Sequence, residues 1–240
     1  MTKRRMAWPL VLILVIIITA ALLFVASELF FRVESVEVYG AVTCDTGQVV
    51  QDSCIELGTL LPLINKVEAE RFIRANQPYV DTVEIRRTFP HTVEIHITEV
   101  TPLAYIPHQR VNFLIDYRGK LLGLATPEEA ETLPRIIGAE LDAPVEGTAL
   151  KFTVEGLDAA LADLLSLLQA RELLRDVTEI DLGLVRFSYL GRFMVELGVA
   201  NDLELKLDYL PRVVEGLEGN ARGTIDLSEV KDKIARFIPD

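Results

Sequence analysis

The sequence predicts an α+β protein in three parts. One long apolar helix near the N-terminus precedes a small β-α-α-β-β domain, and a second, mixed α/β region follows. Three observations carry this expectation. Met6 to Ser27 holds no charged residue, Val83 to Val100 alternates apolar and polar residues on both sides of Pro90, and Leu157 to Leu168 spaces leucines at helical intervals. The 240 residues, half of them apolar, leave room for an anchor and one or two domains, each usually about 100–150 residues.

The first element is the apolar run. A helix rises about 1.5 Å per residue, so about 20 apolar residues cross the roughly 30 Å hydrocarbon core of a bilayer. Lys3, Arg4 and Arg5 precede the run and Glu28 follows it. The reading is a cytoplasmic tail over 1–5, a transmembrane helix over 6–27 with Trp8 at the interface, and all later residues outside the cytoplasm. A cleaved signal peptide is the alternative. Its apolar region is typically about 7–15 residues and ends in a small-x-small site; this run is longer, and "VAS" before Glu28 is a weak match. No second run of that length follows, so a single pass is expected.

Beyond the anchor, "FRVESVEVYG" places Val36 and Val38 on one face and Ser35, Glu37 and Tyr39 on the other, a first strand ending at Gly40. "TGQVVQDSCIELG" reads as a helix with Thr46 as N-cap and Gly58 as stop. "NKVEAERFIRANQP" reads as another, with Val67, Phe72 and Ile73 inward and Pro78 closing it. Then comes the hairpin, with Val83 and Ile85 on one face of its first strand and Val93, Ile95 and Ile97 on one face of its second. Arg87 and Glu99 are candidates for an ion pair beside it.

In the second region "VNFLIDYRGKLLG" holds two apolar runs about a turn at Asp116 to Gly119. "LPRIIG" is a short connecting element. Leu157, Leu161, Leu164, Leu165 and Leu168 form the buried stripe of an amphipathic helix. "TEIDLGLVRFSYLGRFMVELG" supplies strands about a turn at Leu190 to Gly191. "DLELKLDYLPRVVEGLEG" supplies a helix that Pro211 kinks or restarts, and "GTIDLSEV" is a further strand.

The formal charge of −12 argues against nucleic-acid binding, which needs a basic face to neutralise phosphates. Cys44 and Cys54 lie in the exported part, where oxidation is possible. One helix over 46–54 would carry their Cα atoms beyond the roughly 7 Å disulfide limit, so free thiols are expected. His91, His96 and His108 match no metal-ligand spacing, and Glu128 and Glu129 beside Pro127 fit a helix N-terminus. No nucleophile elbow, phosphate loop or dinucleotide fingerprint occurs, so no catalytic residue, cofactor or metal is expected.

"VEIRRTFPHTVEIHITEVTPLAYI" is similar to the signature R-x-[WF]-P-N-T-L-x-I-x-V-x-E-x-x-P-x-A of the bacterial cell division family FtsQ/DivIB. Arg87, Phe89, Pro90, Thr92, Val93, Ile95, Ile97, Glu99, Pro102 and Ala104 occupy the matching positions, and His91 stands at the Asn. "VYG" and "GTLLPLI" resemble two further family elements, and "GTIDL" resembles the G-x-I-D-L near the family's C-terminal end.

The resemblance implies a POTRA domain over 31–104 and an FtsQ/DivIB-type β domain over 105–240. It implies a non-enzymatic scaffold in the cytoplasmic membrane at the division septum, with the exported domains binding single-pass partners of the FtsB/DivIC and FtsL type. Recruitment would use the POTRA domain, with Tyr79 to Arg86 and the exposed hairpin face as candidates. Partner contact would come by β-strand addition near the last strand, carried by Thr224, Ile225, Asp226, Leu227, Ser228 and Val230. The same strand could instead be paired on both sides, with Ile225 and Leu227 facing the core. An anchored cell-envelope enzyme and a POTRA protein of an export system are the alternative functions.

Overall fold

The computed structural model describes residues 7–199, 201–229 and 235–240, in two compact units, Met1–Glu99 and Val100–Asp240. The expected tail over 1–5 lies outside the described residues. Helix α1 (Ala7–Phe30) is 24 residues long. Within it, side chains are described at positions 11–22, 25 and 30, all exposed. Among the described residues no helix is long and apolar enough to cross a membrane.

The first unit continues with β1 (Ser35–Tyr39), α2 (Thr46–Asp52), α3 (Lys66–Asn76), β2 (Val80–Thr88) and β3 (Thr92–Glu99). This is the expected β-α-α-β-β order. The sheet runs β1-β3-β2, with β1 parallel and β2 antiparallel to β3. The period of two buries Ile85, Val93, Ile95 and Ile97 against Val49, Leu61, Ala69 and Ile73 of the helical layer.

Several local features differ from expectation. Asp45, not Thr46, caps α2, its carboxylate accepting the Gln48 N–H at 2.8 Å. The helix stops at Asp52, well before Gly58, and Cys54 takes a left-handed backbone (φ 53°). The continuous 46–54 helix invoked for the thiols is therefore absent, although Cys44 and Cys54 remain unbridged. On α3, Ala69 and Ile73 face the core while Val67 is exposed. Arg87 and Glu99 do not pair: Arg87 Nη2 donates to the Ile64 carbonyl at 2.7 Å, and Glu99 turns to the backbone of residues 42–44.

The second unit holds β4 (Ala104–His108), β5 (Val111–Ile115), β6 (Leu121–Leu124), α4 (Pro127–Thr132) and β7 (Arg135–Ile137). After these come α5 (Leu157–Ala170), β8 (Val177–Asp181), β9 (Arg186–Tyr189), β10 (Phe193–Glu196), α6 (Leu203–Glu215), β11 (Gly223–Asp226) and β12 (Arg236–Pro239). They form one nine-stranded sheet in the order β12-β11-β10-β9-β8-β7-β4-β5-β6. "LPRIIG" is thus more than a connector, since β7 runs parallel to both β4 and β8 in mid-sheet. Leu161, Leu164, Leu165 and Leu168 of α5 are buried in the core with Ile136, Ile180, Phe187, Val195 and Ile225. Each such side chain contributes about 1.5–3 kcal/mol of transfer free energy. Helix α6 runs through Pro211 without a break.

Candidate functional site

The candidate site is the margin of the large sheet at its C-terminal end. A three-residue turn, Leu190 to Arg192, with left-handed backbone at Leu190 and Gly191 (φ 54° and 64°) joins β9 to β10. Strand β11 is parallel to β10, a pairing that needs a crossover, and α6 supplies it. The chain then returns antiparallel as β12, with Thr224 opposite Ile238 and Asp226 opposite Arg236.

The sequence-predicted residues fall in and just after β11. Its backbone is occupied on both sides: the Gly223 and Leu227 N–H groups donate to Arg192 O (3.2 Å) and Glu196 O (2.9 Å) of the β10 side, and Asp240 N–H donates to Arg222 O (3.3 Å) on the β12 side. Ile225 and Leu227 are fully buried in the core. Thr224 and Asp226 are half-buried on the opposite face and Ser228 is exposed, while Val230 lies outside the described residues. Among the described residues the margin of the sheet is therefore one strand beyond Thr224 to Ser228, at β12.

The backbone phase of β12 follows from these bonds. Because Asp240 turns toward Arg222, the register turns Arg236 and Ile238 inward to β11 as well. Ala235, Phe237 and Pro239 then direct their backbone groups away from the sheet. That row offers the N–H and C=O of Ala235 and Phe237 and the C=O of Pro239. Proline at an outward position removes no ladder bond, which is where strands tolerate it. The Phe237 ring meets Phe193 edge to face (centroids 6.1 Å apart), while the Ile238 side chain is 54% exposed.

Polar groups brace the turn that follows β11. Ser228 donates from Oγ (2.6 Å) and N–H (2.9 Å) to Asp226 Oδ1. These bonds, helped by the Arg236 and Lys206 charges, outweigh burial and hold the Asp226 carboxyl below its usual range. Lys206, itself buried, donates from Nζ to the carbonyls of Leu197 (2.6 Å) and Val199 (2.8 Å) and to Asn201 Oδ1 (3.3 Å), fastening the chain between β10 and α6.

The opposite margin is different. At β6 the Leu121 N–H donates to Thr148 O (2.9 Å) and Leu121 O accepts from Gly147 N–H (2.8 Å). A register shift between Leu114 and Ile115 bends the β5–β6 pair. Occupied groups and a bulge are two ways in which sheet edges are blunted.

A cleft of about 620 Å³ beside α5 and α6 is lined by Asp163, Ser166, Asp202, Glu204 and Asp208; Ser166 Oγ donates to the Tyr117 carbonyl at 3.1 Å, and Asp208 pairs with Arg171 at 2.7 Å. No group of three or more His, Cys, Asp or Glu suited to a metal occurs among the described residues. His96 stacks on Tyr39 and contacts Glu94 (3.1 Å), and His91 approaches Glu34 (3.8 Å). Glu128 and Glu129 serve the N-terminus of α4, where Thr126 and Glu129 form a reciprocal capping box.

Of the site's elements, β12 is the one that the sequence pattern does not single out. Its four residues carry a weak alternation ending at Pro239, and that terminal proline was the available signal for an edge strand.

Two family models match the chain. The POTRA domain, FtsQ-type, matches residues 31–99, and the C-terminal domain of cell division protein FtsQ/DivIB matches residues 104–228. The cell division protein DivIB of Clostridium botulinum (strain Loch Maree / Type A3) is 26% identical over 230 residues, covering 94% of this chain and 90% of the relative. The cell division protein FtsQ of Anaeromyxobacter sp. (strain K) is 27% identical over 228 residues, covering 90% and 76%. FtsQ of Corynebacterium glutamicum is 30% identical over 115 residues, about half of each chain (47% and 51%). With a POTRA unit, a mixed-sheet unit and matches across most of its length, the chain belongs to the FtsQ/DivIB family of non-enzymatic cell division proteins.

Proposed function

We propose that this protein is a single-pass scaffold of the division machinery, held in the cytoplasmic membrane by the apolar run over 6–27, and that it receives a strand from a division partner at β12. The outward backbone row of β12 carries the reading. A sheet margin with unpaired donors and acceptors accepts an extended segment of another chain, whose backbone bonds supply affinity while flanking side chains supply choice. Thr224, Asp226, Ser228, Arg236 and Ile238 would line that segment on the solvent face. The guest would be a segment of an FtsB- or DivIC-type protein, in an assembly that includes an FtsL-type protein.

The anchor reading rests on the sequence, in which Met6 to Ser27 holds no charged residue; about 20 apolar residues at about 1.5 Å each would span a core of about 30 Å. The basic residues Lys3, Arg4 and Arg5 keep its N-terminal side in the cytoplasm. A membrane tether turns partner search into a two-dimensional encounter and raises the effective concentration of each partner.

A photo-activated cross-linking residue placed at Ile238, compared with one at Leu124 on the β6 side, tests the location in dividing cells. A covalent adduct with an FtsB- or DivIC-type protein from position 238 and none from 124 is the expected result. Adducts only from 124, or from neither, reject β12 as the docking strand.

A further inference from the structure

The first unit carries a group of exposed apolar residues where α1 ends. Phe30, its last residue, is 68% exposed. Phe31 follows it directly and meets Phe89 edge to face, with ring centroids 5.6 Å apart. Phe89 lies in the β2–β3 turn and is itself 61% exposed. On the other side of the same stretch, the Leu61 N–H donates to the Phe31 carbonyl at 2.8 Å, and Leu63, just beyond, is 72% exposed.

This placement is enforced by the backbone. Strands β1 and β3 are parallel, with Ser35 opposite Thr92, so the turn that precedes β3 must lie at the end of β1 nearest α1. The His91 carbonyl accepts the N–H groups of Glu34 (2.9 Å) and Ser35 (3.4 Å), which ties the turn to the chain leaving the helix. Arg32 and Leu60 bridge on the opposite side, and Arg32 Nη1 donates to Gly58 O at 2.8 Å. The connection from α1 to the first sheet is thus clasped by two loops, each ending in a large, solvent-facing apolar side chain.

We infer that Phe89 and Leu63 are a second contact of this unit with the lipid bilayer, seated in the boundary between headgroups and acyl chains at the point where α1 emerges. The inference rests on the reading of α1 as a bilayer-spanning helix. If α1 crosses, Phe31 lies at the membrane surface by covalent continuity, and the 5.6 Å contact brings Phe89 to the same depth. Aromatic rings favour that layer, and apolar side chains there are removed from water without requiring a protein partner. The occupant is lipid because the patch is continuous with the anchor. Two contacts flanking one helix exit would restrict the tilt of the unit against the membrane plane.

The test uses the full chain in phosphatidylcholine vesicles, with or without bromine on the acyl chains near the headgroup. Trp8 is the sole native tryptophan and reports the anchor in the unaltered protein. In a Trp8→Phe background, Phe89→Trp and, separately, Leu63→Trp report the two loops, and Tyr39→Trp at the far end of β1 is the control. Blue-shifted emission reduced about twofold or more by brominated lipid is expected at positions 89 and 63, with none at 39. If Trp8 is quenched while positions 89 and 63 emit as in water, the second contact is wrong and the anchor stands. If Trp8 is not quenched, the anchor fails and this inference falls with it. Equal quenching at position 39 also overturns the proposal. Two separate reporters keep the test open should one substitution disturb folding.

Discussion

The carboxylate of Glu99, at the end of β3, accepts the backbone N–H of Cys44, 55 positions earlier in the chain, at 2.9 Å. Val42 (2.9 Å) and Thr43 (2.8 Å) donate to the same carboxylate. The loop between β1 and α2 is thereby folded around one negative charge. Burial pushes the Glu99 carboxyl up, but the donors from Cys44, Val42 and Thr43 outweigh it and hold the group at about 2.

A carboxyl held below its ordinary value of 4.5 stabilises the fold fully above that value and loses its contribution as pH falls through about 2. Glu99→Gln is expected to lower stability near neutral pH by about 1 kcal/mol, a figure reduced for solvent screening. The gap between the two proteins should close on acidification. Thermal unfolding midpoints measured from neutral to strongly acidic pH check this; a constant gap across that range would contradict it.

Gly223 has a backbone φ of 146°, and a Cβ there would collide with the Ile238 carbonyl of β12. Gly223→Ala should therefore push the outermost strand off its neighbour, costing about 1–3 kcal/mol. Cross-linking from position 238 should fall at the same time. Hydrogen exchange on Ile238 and Asp240 would register the loosening; unchanged protection would count against it.

Lys206 is 2% exposed, and its ammonium satisfies two carbonyls before α6. Lys206→Met keeps the stem but strands those acceptors, for an expected loss of about 1–3 kcal/mol per group left without a donor. Denaturant unfolding of the variant measures this. A protein as stable as the wild type would mean that water replaces the ammonium.

Phe237 holds β12 through the Phe193 ring. Phe237→Ala should weaken partner binding beyond its effect on stability, because the strand would lose its seat, and about 1–2 kcal/mol of stability should go with the ring contact. Phe237→Leu should restore most of both. Partner affinity of the two variants, measured by titration, separates them.

The parts of the fold that the sequence revealed are those held by local pattern. The hairpin with Val93, Ile95 and Ile97, the Asp116 turn and the leucine stripe of α5 all stand where periodicity put them. The parts that stayed hidden depend on distant partners. Strand β7 is three residues long; it exists because parallel neighbours far along the chain, β4 and β8, pair with it. The site followed the same rule. Alternation identified Ile225 and Leu227 as strand-like, but only the return of Arg236–Pro239 decides which strand is outermost.

The contrast between the two ends of the large sheet sets a limit on growth. Leu121 already holds residues 147 and 148 at one end, whereas β12 can extend the ladder at the other. In the large sheet, a margin that is bulged and held at Leu121 is the poorer template for a further strand, which leaves β12 as the better one. Two copies paired through β12 would each bury that margin, so growth of the large sheet by this route ends at a pair rather than running on into a fibre.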